Sequence, residues 1–587
     1  MATMEFAQHH KKIMPPSSRY EAAMKALSSL ITKKKRGDGS KRTEKFDQMF
    51  RYLQALELDQ QCITELKIIH IAGTKGKGST CAFSEAILRE CGLQTGLFTS
   101  PHLMDVRERY RLNGSDISRE KFLMYFWECW HQLEEKTTKD LPMPSLFQFL
   151  TLLAFKIFLT EKDLPMPSLF QFLTLLAFKI FLTEKVDVAI LEVGLGGRLD
   201  STNVVKEPVV CGITSLGMDH TEILGDTIAK IASEKAGIFK SKVPAFTVPQ
   251  LPEAMSVLND RASTLSIPLE VAKPLSPNML KGVHLGLAGH HQFTNAGLAV
   301  AICRCWLQRT GRLNFFPNDN EVLPEAFLKG LWTACLFGRA QIVHDKQDNC
   351  PETPEIGNGS GNLVFYLDGA HTPESMEVCA RWFSSAARDD LYSPLENGHF
   401  EKTNCQKNFK NENNYRVLNK VSQNVFLFNC MEVRDPHVLF PQLINICAAN
   451  GIHFSKALFV PSISTYHKVD SGAPIVSFDI TQDVSWQFTL QKIWEKIIHG
   501  KKNSALDGFD NSERYAGLPT WELLSEGLSQ KCDPANQKFT CSAVIPSLPM
   551  AIKSLRDCVK ESPSLRLQVL VTGSLHLVGD VLKLLKR

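Results

Sequence analysis

A chain of 587 residues is too long for one hydrophobic core, so at least two domains are expected. Its 44% hydrophobic and 22% charged content suits a globular protein, and no uninterrupted apolar run reaches membrane-spanning length. A net charge of +4 gives no ground for a nucleic-acid or membrane-surface partner, and sixteen scattered cysteines without a CxxC pair read as reduced thiols, not a disulfide scaffold.

Residues 1–45 are polar and basic, with the run Lys33-Lys34-Lys35-Arg36, and read as a flexible segment. Glu5 and Glu21 argue against a transit peptide, so the cytosol is expected, with mitochondrion and plastid as alternatives. Helical spacing over Phe46 to Leu58 opens a first domain expected to span 46–308.

The apolar run Ile68-Ile69-His70-Ile71-Ala72 then predicts a buried strand, and Cys81 to Cys91 a helix. Between them lies Gly73-Thr74-Lys75-Gly76-Lys77-Gly78-Ser79-Thr80. Strand, glycine-rich turn with Lys and Ser, then helix, is an arrangement that cradles phosphates: backbone N–H groups and the helix N-terminus face the anion and Lys77 adds charge. The spacing departs from the common nucleotide-binding loop, since two residues, not four, separate the first Gly from Gly-Lys, and Gly78 stands between Lys77 and Ser79. A Gly/Lys surface turn is the bland alternative.

Next comes an anomaly. Residues 140–162 and 163–185 are identical tandem copies of DLPMPSLFQFLTLLAFKIFLTEK. Each carries an apolar helical pattern, and Pro165 and Pro167 break any continuous helix between them. The second copy runs directly into the next strand and is expected in the core, which leaves the first in need of another home. A gene-assembly error, a tolerated duplication and a new interaction surface are all open.

Further strands are expected at Thr95 to Thr99, Val186 to Val193, Val209 to Thr214 and Val243 to Val248, giving a parallel sheet covered on both faces. Glu192 sits at a strand's C-terminal end, where ligands bind in such sheets, and a carboxylate beside a phosphate loop is a natural Mg²⁺ ligand. The bland reading is an acid that caps a turn. His220 is a second candidate ligand, although a lone His is more often a bystander. Lys235 fits poorly beside a metal unless neutralised or converted to a carbamate. Residues 309–320, around Pro317 to Asn320, read as a linker.

A second alternating domain, 321–587, follows, with strands at Ala340 to Val343, Leu363 to Leu367, Asn424 to Phe428, Ala457 to Val460 and Val569 to Thr572. Polar stretches 389–415 and 500–538 read as inserted loops. Gly338-Arg339 and Asp368-Gly369-Ala370-His371 supply an Arg suited to phosphate and an Asp suited to ribose hydroxyls, each with a bland reading as ion pair or turn.

Taken in order, Gly73 to Thr80, Thr99 to Leu103, Glu192 to Asn203, His220, Lys235, His291 to Asn295, Gly338-Arg339, Asp368 to His371 and Val571 to His576 resemble the Mur ligase superfamily, and within it the folylpolyglutamate synthase family. The unusual loop spacing is the one that family uses. The resemblance implies an α/β fold: an N-terminal phosphate-loop ATPase domain with a parallel sheet, then a smaller Rossmann-like C-terminal domain. It implies an ATP-dependent ligase. The terminal γ-carboxylate of a folate becomes an acyl phosphate, which the amine of L-glutamate attacks. ATP and Mg²⁺ are implied, with a monovalent cation such as K⁺ as a further candidate.

Position by position, the resemblance implies that Gly76, Lys77, Gly78 and Ser79 hold the ATP phosphates and that Asn295 faces the nucleotide. Ser100, Glu192 and His220 would ligate Mg²⁺, and Lys235 would be carbamylated. Arg339 and Asp368 would reach ATP from the second domain on closure, with His371 near the phosphoryl-transfer centre. Thr99 to Leu103 resembles the loop beside folate. The chain departs from the family in having Leu336-Phe337 where Trp-Pro is usual before Gly-Arg, and in its doubled segment. A monomer acting on tetrahydrofolate (poly)glutamates and L-glutamate is expected, without nucleic acid or membrane. Rival readings are a dihydrofolate synthase using dihydropteroate, a phosphate-loop NTPase or kinase that forms no amide, and a binding protein impaired by the duplication.

Overall fold

The computed structural model describes residues 16–31, 42–137, 167–312, 322–345, 363–392, 421–464, 483–499, 541–562 and 564–585. The first copy of the repeat, the core of the 309–320 linker and nearly all of the two polar stretches lie outside them. The chain divides into two compact units, with the boundary between Leu336 and Phe337. That is later than the 309–320 expected from sequence. The helix Glu325–Thr333 accounts for the difference: Phe327 and Leu331 are fully buried in a cluster with Phe83 and Ile87 of the first unit.

Strands of the first unit are β1 (Ile69–Ala72), β2 (Thr95–Phe98), β3 (Tyr110–Leu112), β4 (Ser115–Asp116), β5 (Val188–Glu192), β6 (Val210–Ile213), β7 (Ala245–Thr247) and β8 (Leu269–Val271). They form a sheet in the order β4-β3-β2-β5-β1-β6-β7-β8. From β2 to β8 every pairing is parallel; β3 and β4 at one edge are antiparallel, a hairpin the alternating pattern did not reveal. Successive strand residues point to opposite faces. Ile69, Ile71, Val188 and Ile190 accordingly join a cluster with the helices Lys77–Glu90 and Gln292–Arg309. Ala189 and Leu191 join the opposite cluster, with the helices Arg119–Thr137 and Leu169–Thr183.

The helix Leu169–Thr183 is the second repeat copy. A capping box between Ser168 and Gln171 starts it, and Phe172, Phe178 and Phe181 are completely buried. Each such side chain contributes about 1.5–3 kcal/mol of burial, which fixes this copy in the core ahead of β5, as expected from its direct run into that strand. The N-terminal reading needs correction. Residues 16–29 are not a loose tail but a helix, Pro16–Ser29, because Tyr20, Ala23, Met24 and Leu27 fall on one face and are buried. Tyr20 donates to Asp105 Oδ1 at 2.5 Å.

The second unit holds β9 (Gln341–His344), β10 (Leu363–Leu367), β11 (Val421–Phe428), β12 (Phe454–Phe459), β13 (Cys541–Val544) and β14 (Leu565–Thr572), ordered β13-β12-β11-β14-β10-β9. Only the edge strand β9 is antiparallel. An aromatic group around Phe426, Phe440 and Trp494 fills one face, with Phe426 stacked on Trp494 at 5.0 Å between ring centroids. Two α/β units with mainly parallel sheets are the architecture the sequence implied.

Candidate active site

The segment Gly73–Gly76 turns between β1 and the helix Lys77–Glu90. Its shape is imposed by neighbours on two sides. Gly73 has φ +145°, and a Cβ there would stand 1.8 Å from Thr214 Oγ1. Gly76, the helix N-cap, has φ +90°, and a Cβ there would stand 2.2 Å from Asn295 Oδ1. Both conditions admit only glycine. After β6 the chain closes over the loop: the N–H groups of Thr74 and Lys75 both donate to Ser215 O, and Gly217 N–H donates to Thr74 Oγ1 at 3.2 Å. Gln250 fixes this bracket by donating to Thr214 O and accepting from Leu216 N–H.

On the other side stands the helix Gln292–Arg309. Asn295 Nδ2 donates to Gln292 Oε1 at 2.9 Å, and Gln292 Nε2 donates to Ser79 Oγ at 3.3 Å. All three side chains are buried. Gln292 and Asn295 share a helix face at i,i+3, so the pair is readable in sequence once the helix is known. Lys77 and Gly78 are half-buried at the start of their helix.

Glu192 ends β5 beside this loop. Its carboxylate is 4% exposed, Oε2 accepts from Ser100 N–H at 2.9 Å, and a Cβ on Gly78 would lie 3.6 Å from Oε2. The structure therefore brings together Ser100, Glu192 and the phosphate loop. His220, with φ +52°, stands in a local acidic group, its ring nitrogens 4.0 Å from Asp219 and 3.9 Å from Glu222. Asp219 also pairs with Lys75 at 3.3 Å. Among the described residues no cluster of three or more His, Cys, Asp or Glu forms a metal cage. Mg²⁺ takes hard oxygen donors and fills much of its shell from phosphates and water. Glu192 and the Ser100 hydroxyl fit such an ion as hard donors; the His220 imidazole is the softer match.

Lys235 is 5% exposed, and its Nζ donates to Gly73 O at 2.7 Å. Burial, then the nearby Lys77 ammonium, pulls its pKa down to about 7. An amine with this pKa is only partly charged at neutral pH.

In the second unit Asp368 follows β10. One carboxylate oxygen accepts from Ala340 N–H at 2.9 Å and the other from Ala370 N–H at 3.0 Å. Gly369 N–H donates to Gly338 O, so Asp368 ties the Gly338-Arg339 turn to the turn after β10. The turn-bracing reading of this acid is thus realised. A carboxylate keeps further lone pairs for a ligand. His371 Nδ1 lies 2.7 Å from Gly369 O, a carbonyl that can only accept, so Nδ1 carries the hydrogen. Arg339 is half-buried on the same turn.

A cavity of about 430 Å³ lies within the first unit, lined by Ser100, Pro101, Arg109, the second-copy residues Ser168, Phe170 and Gln171, and the loop after β5. Ser100 and Pro101, within the segment Thr99 to Leu103, thus border a cavity. Arg109 and Asp200, not singled out in sequence, also line it. Asp200 is buried and accepts from Leu195 N–H and from Thr202.

The fold and the loop define a two-unit α/β protein of the phosphate-loop class. No protein-family model matches the chain. Over 98% of its length it is 54% identical to "Folylpolyglutamate synthase" of Arabidopsis thaliana, covering 88% of that protein. Over 97% it is 36% identical to "Folylpolyglutamate synthase, mitochondrial" of Homo sapiens, covering 92% of that one. Among solved structures, "Mycobacterium tuberculosis Folylpolyglutamate synthase complexed with ADP" shares the fold with a TM-score of 0.60 at 19% identity, covering 98% of this chain and 99% of that one. The "FPGS-AMPPCP-folate complex" does so with a TM-score of 0.56 at 20% identity, covering 97% and 100%. The chain belongs to the folylpolyglutamate synthase family. Among the described residues no helix is long and apolar enough to cross a membrane.

Proposed function

We propose that this chain adds L-glutamate to the γ-carboxylate of tetrahydrofolates, driven by ATP, through an acyl phosphate. The observation that carries this reading is the placement of the Glu192 carboxylate and Ser100 against the phosphate loop at Gly78. The names of the full-length relatives support it.

An unactivated carboxylate is a poor electrophile, and phosphate is a good leaving group. In this reading Gly76, Lys77, Gly78 and Ser79 hold the phosphates of ATP, and Lys77 offsets charge on the transferring oxygens. Asn295 supports the nucleotide through Gly76. Glu192 and Ser100, with His220 as third candidate, hold Mg²⁺, which when bound neutralises phosphate charge. Lys235, poised near neutrality, is the residue we assign to carbamylation. Arg339 and Asp368 are assigned to the nucleotide and His371 to the phosphoryl-transfer region. A cytosolic setting stays a proposal beside the mitochondrial names of the animal relatives, to be decided by subcellular fractionation.

The test supplies the purified chain with ATP, Mg²⁺, labelled L-glutamate and either tetrahydrofolate or dihydropteroate. The expected result is glutamylated tetrahydrofolate by mass spectrometry, with phosphate release that depends on glutamate. Product from dihydropteroate alone, or phosphate release indifferent to glutamate, overturns the proposal.

A further inference from the structure

Arg109 ends the short turn Val106–Arg109 and leads into β3. It is 8% exposed. Its Nε–H donates to His102 Nδ1 at 2.9 Å, but Nη1 is buried with no hydrogen-bond partner among the described residues. The acids nearby are committed elsewhere. Glu108 accepts from the N–H groups of Leu103, Met104 and Asp105, and Glu192 accepts from Ser100. Burial pulls the guanidinium pKa down, opposed by Tyr110, Glu192 and Glu108, yet an arginine stays charged in proteins. A buried cation with an unfilled donor is costly unless a ligand fills it.

The second observation is the cavity itself. Arg109 lines it together with Ser100, Pro101, Phe170, Gln171, Leu195 and Asp200. Arg109 is the one cation among the described lining residues, and both oxygens of Asp200 are occupied. About 430 Å³ is the size of a small-molecule site. Pro101, Phe170 and Leu195 give it apolar walls, suited to an aromatic body that carries an anion. A free phosphate would instead find its donors in the loop at Gly73 to Ser79.

We propose that Arg109 anchors the terminal glutamyl carboxylate of the folate acceptor in this cavity, positioning it for activation beside Glu192 and the phosphate loop. This rests on the ligase reading above. A guanidinium Nη–H and a carboxylate form a charge-assisted hydrogen bond, shorter and stronger than a neutral one.

The experiment measures equilibrium binding of tetrahydrofolate monoglutamate and of its analogue with both glutamyl carboxylates converted to carboxamides, on the full chain and on Arg109→Met. The native chain is expected to prefer the diacid by at least about tenfold, from a charge-assisted hydrogen bond. Arg109→Met is expected to bind both as weakly as the native chain binds the diamide, with ATP affinity and melting curve retained. Should Arg109→Met fail to fold, Arg109→Lys, which keeps the charge without the fork, is expected to show a reduced preference. A preference undiminished in either folded variant overturns the assignment, as does a rise confined to the KM for free L-glutamate. Native turnover is assayed in parallel. Turnover with an undiminished preference in the variant sinks the Arg109 proposal alone, whereas absent turnover with a lost preference sinks the ligase reading and leaves the carboxylate anchor standing.

Discussion

The phosphate loop and the neighbouring cavity lie in the same unit but are built in opposite ways. Around the loop the backbone and side-chain amides are already engaged, although the buried hydroxyls of Thr80 and Thr214 keep no hydrogen-bond partner among the described residues. Thr214 and Asn295 crowd Gly73 and Gly76, Ser215 takes two backbone donors, and Gln292 reaches Ser79. In the cavity a buried arginine retains an unfilled donor. A rigid cradle suits phosphates, whose geometry is constant, while the waiting donor gains its partner only when substrate arrives. The difference teaches where mutations should act: on the loop, through geometry and charge at once; in the cavity, through substrate affinity.

The largest effect expected is that of Lys77→Ala, which should lower kcat by about 10²–10³-fold by removing charge stabilisation at the transferring phosphate, with little change in melting temperature. Steady-state kinetics beside calorimetry reads both, and near-native kcat would break the contrast. Gly73→Ala should come next. A Cβ 1.8 Å from Thr214 Oγ1, at φ +145°, forces the loop from its shape, so ATP binding should fall and stability drop by about 1–3 kcal/mol, measurable by titration and denaturant unfolding. Glu192→Gln should raise the Mg²⁺ concentration for half-maximal rate by about tenfold, since an amide oxygen is a weaker hard donor. An unchanged Mg²⁺ requirement removes Glu192 from the metal.

Lys235 gives a pH test of the loop side. Its folded pKa near 7 lies below the ordinary 10.5, so between these values the unfolded chain holds a proton that the folded chain lacks. Stability contributed by this group therefore grows as pH rises from about 7 to about 10.5, and is absent below that window. The same neutral amine should take up labelled CO₂, giving a carbamate signal in ¹³C NMR that rises with pH through 7 and disappears in Lys235→Arg. The smallest effect is expected from deleting residues 140–162. The core slot ahead of β5 is filled by the second copy, so stability should change by no more than about 0.5 kcal/mol. A collapse in melting temperature would show that the first copy is needed.

Much of the fold was legible because period and punctuation are local properties. The alternation of apolar runs with helical patterns located β1, β2, β5, β6 and β7, and the Gly-Lys-Gly-Ser spacing located the phosphate loop. The antiparallel edge strands of the first unit escaped because three residues, Tyr110–Leu112, or two, Ser115–Asp116, carry too little period to register. The helix Pro16–Ser29 escaped because a basic surrounding composition masked a four-residue apolar face. The unit boundary was misplaced because the helix Glu325–Thr333 declares its allegiance only by what it packs against.

By itself, the sequence determined the chemistry on offer: a phosphate loop of distinctive spacing, a strand-end Glu192, an awkward Lys235, and an order of motifs that marks one family. Only the tertiary structure decided which of these groups meet. It set Ser100 N–H on Glu192, aimed Lys235 at Gly73 O, and placed one turn N–H on each oxygen of Asp368. It also left Arg109 buried with a donor to spare. The reason is physical. Residue identity fixes what a side chain can donate or accept, but burial and the competition for partners are set by segments distant in the chain, and these decide which donors remain for a substrate.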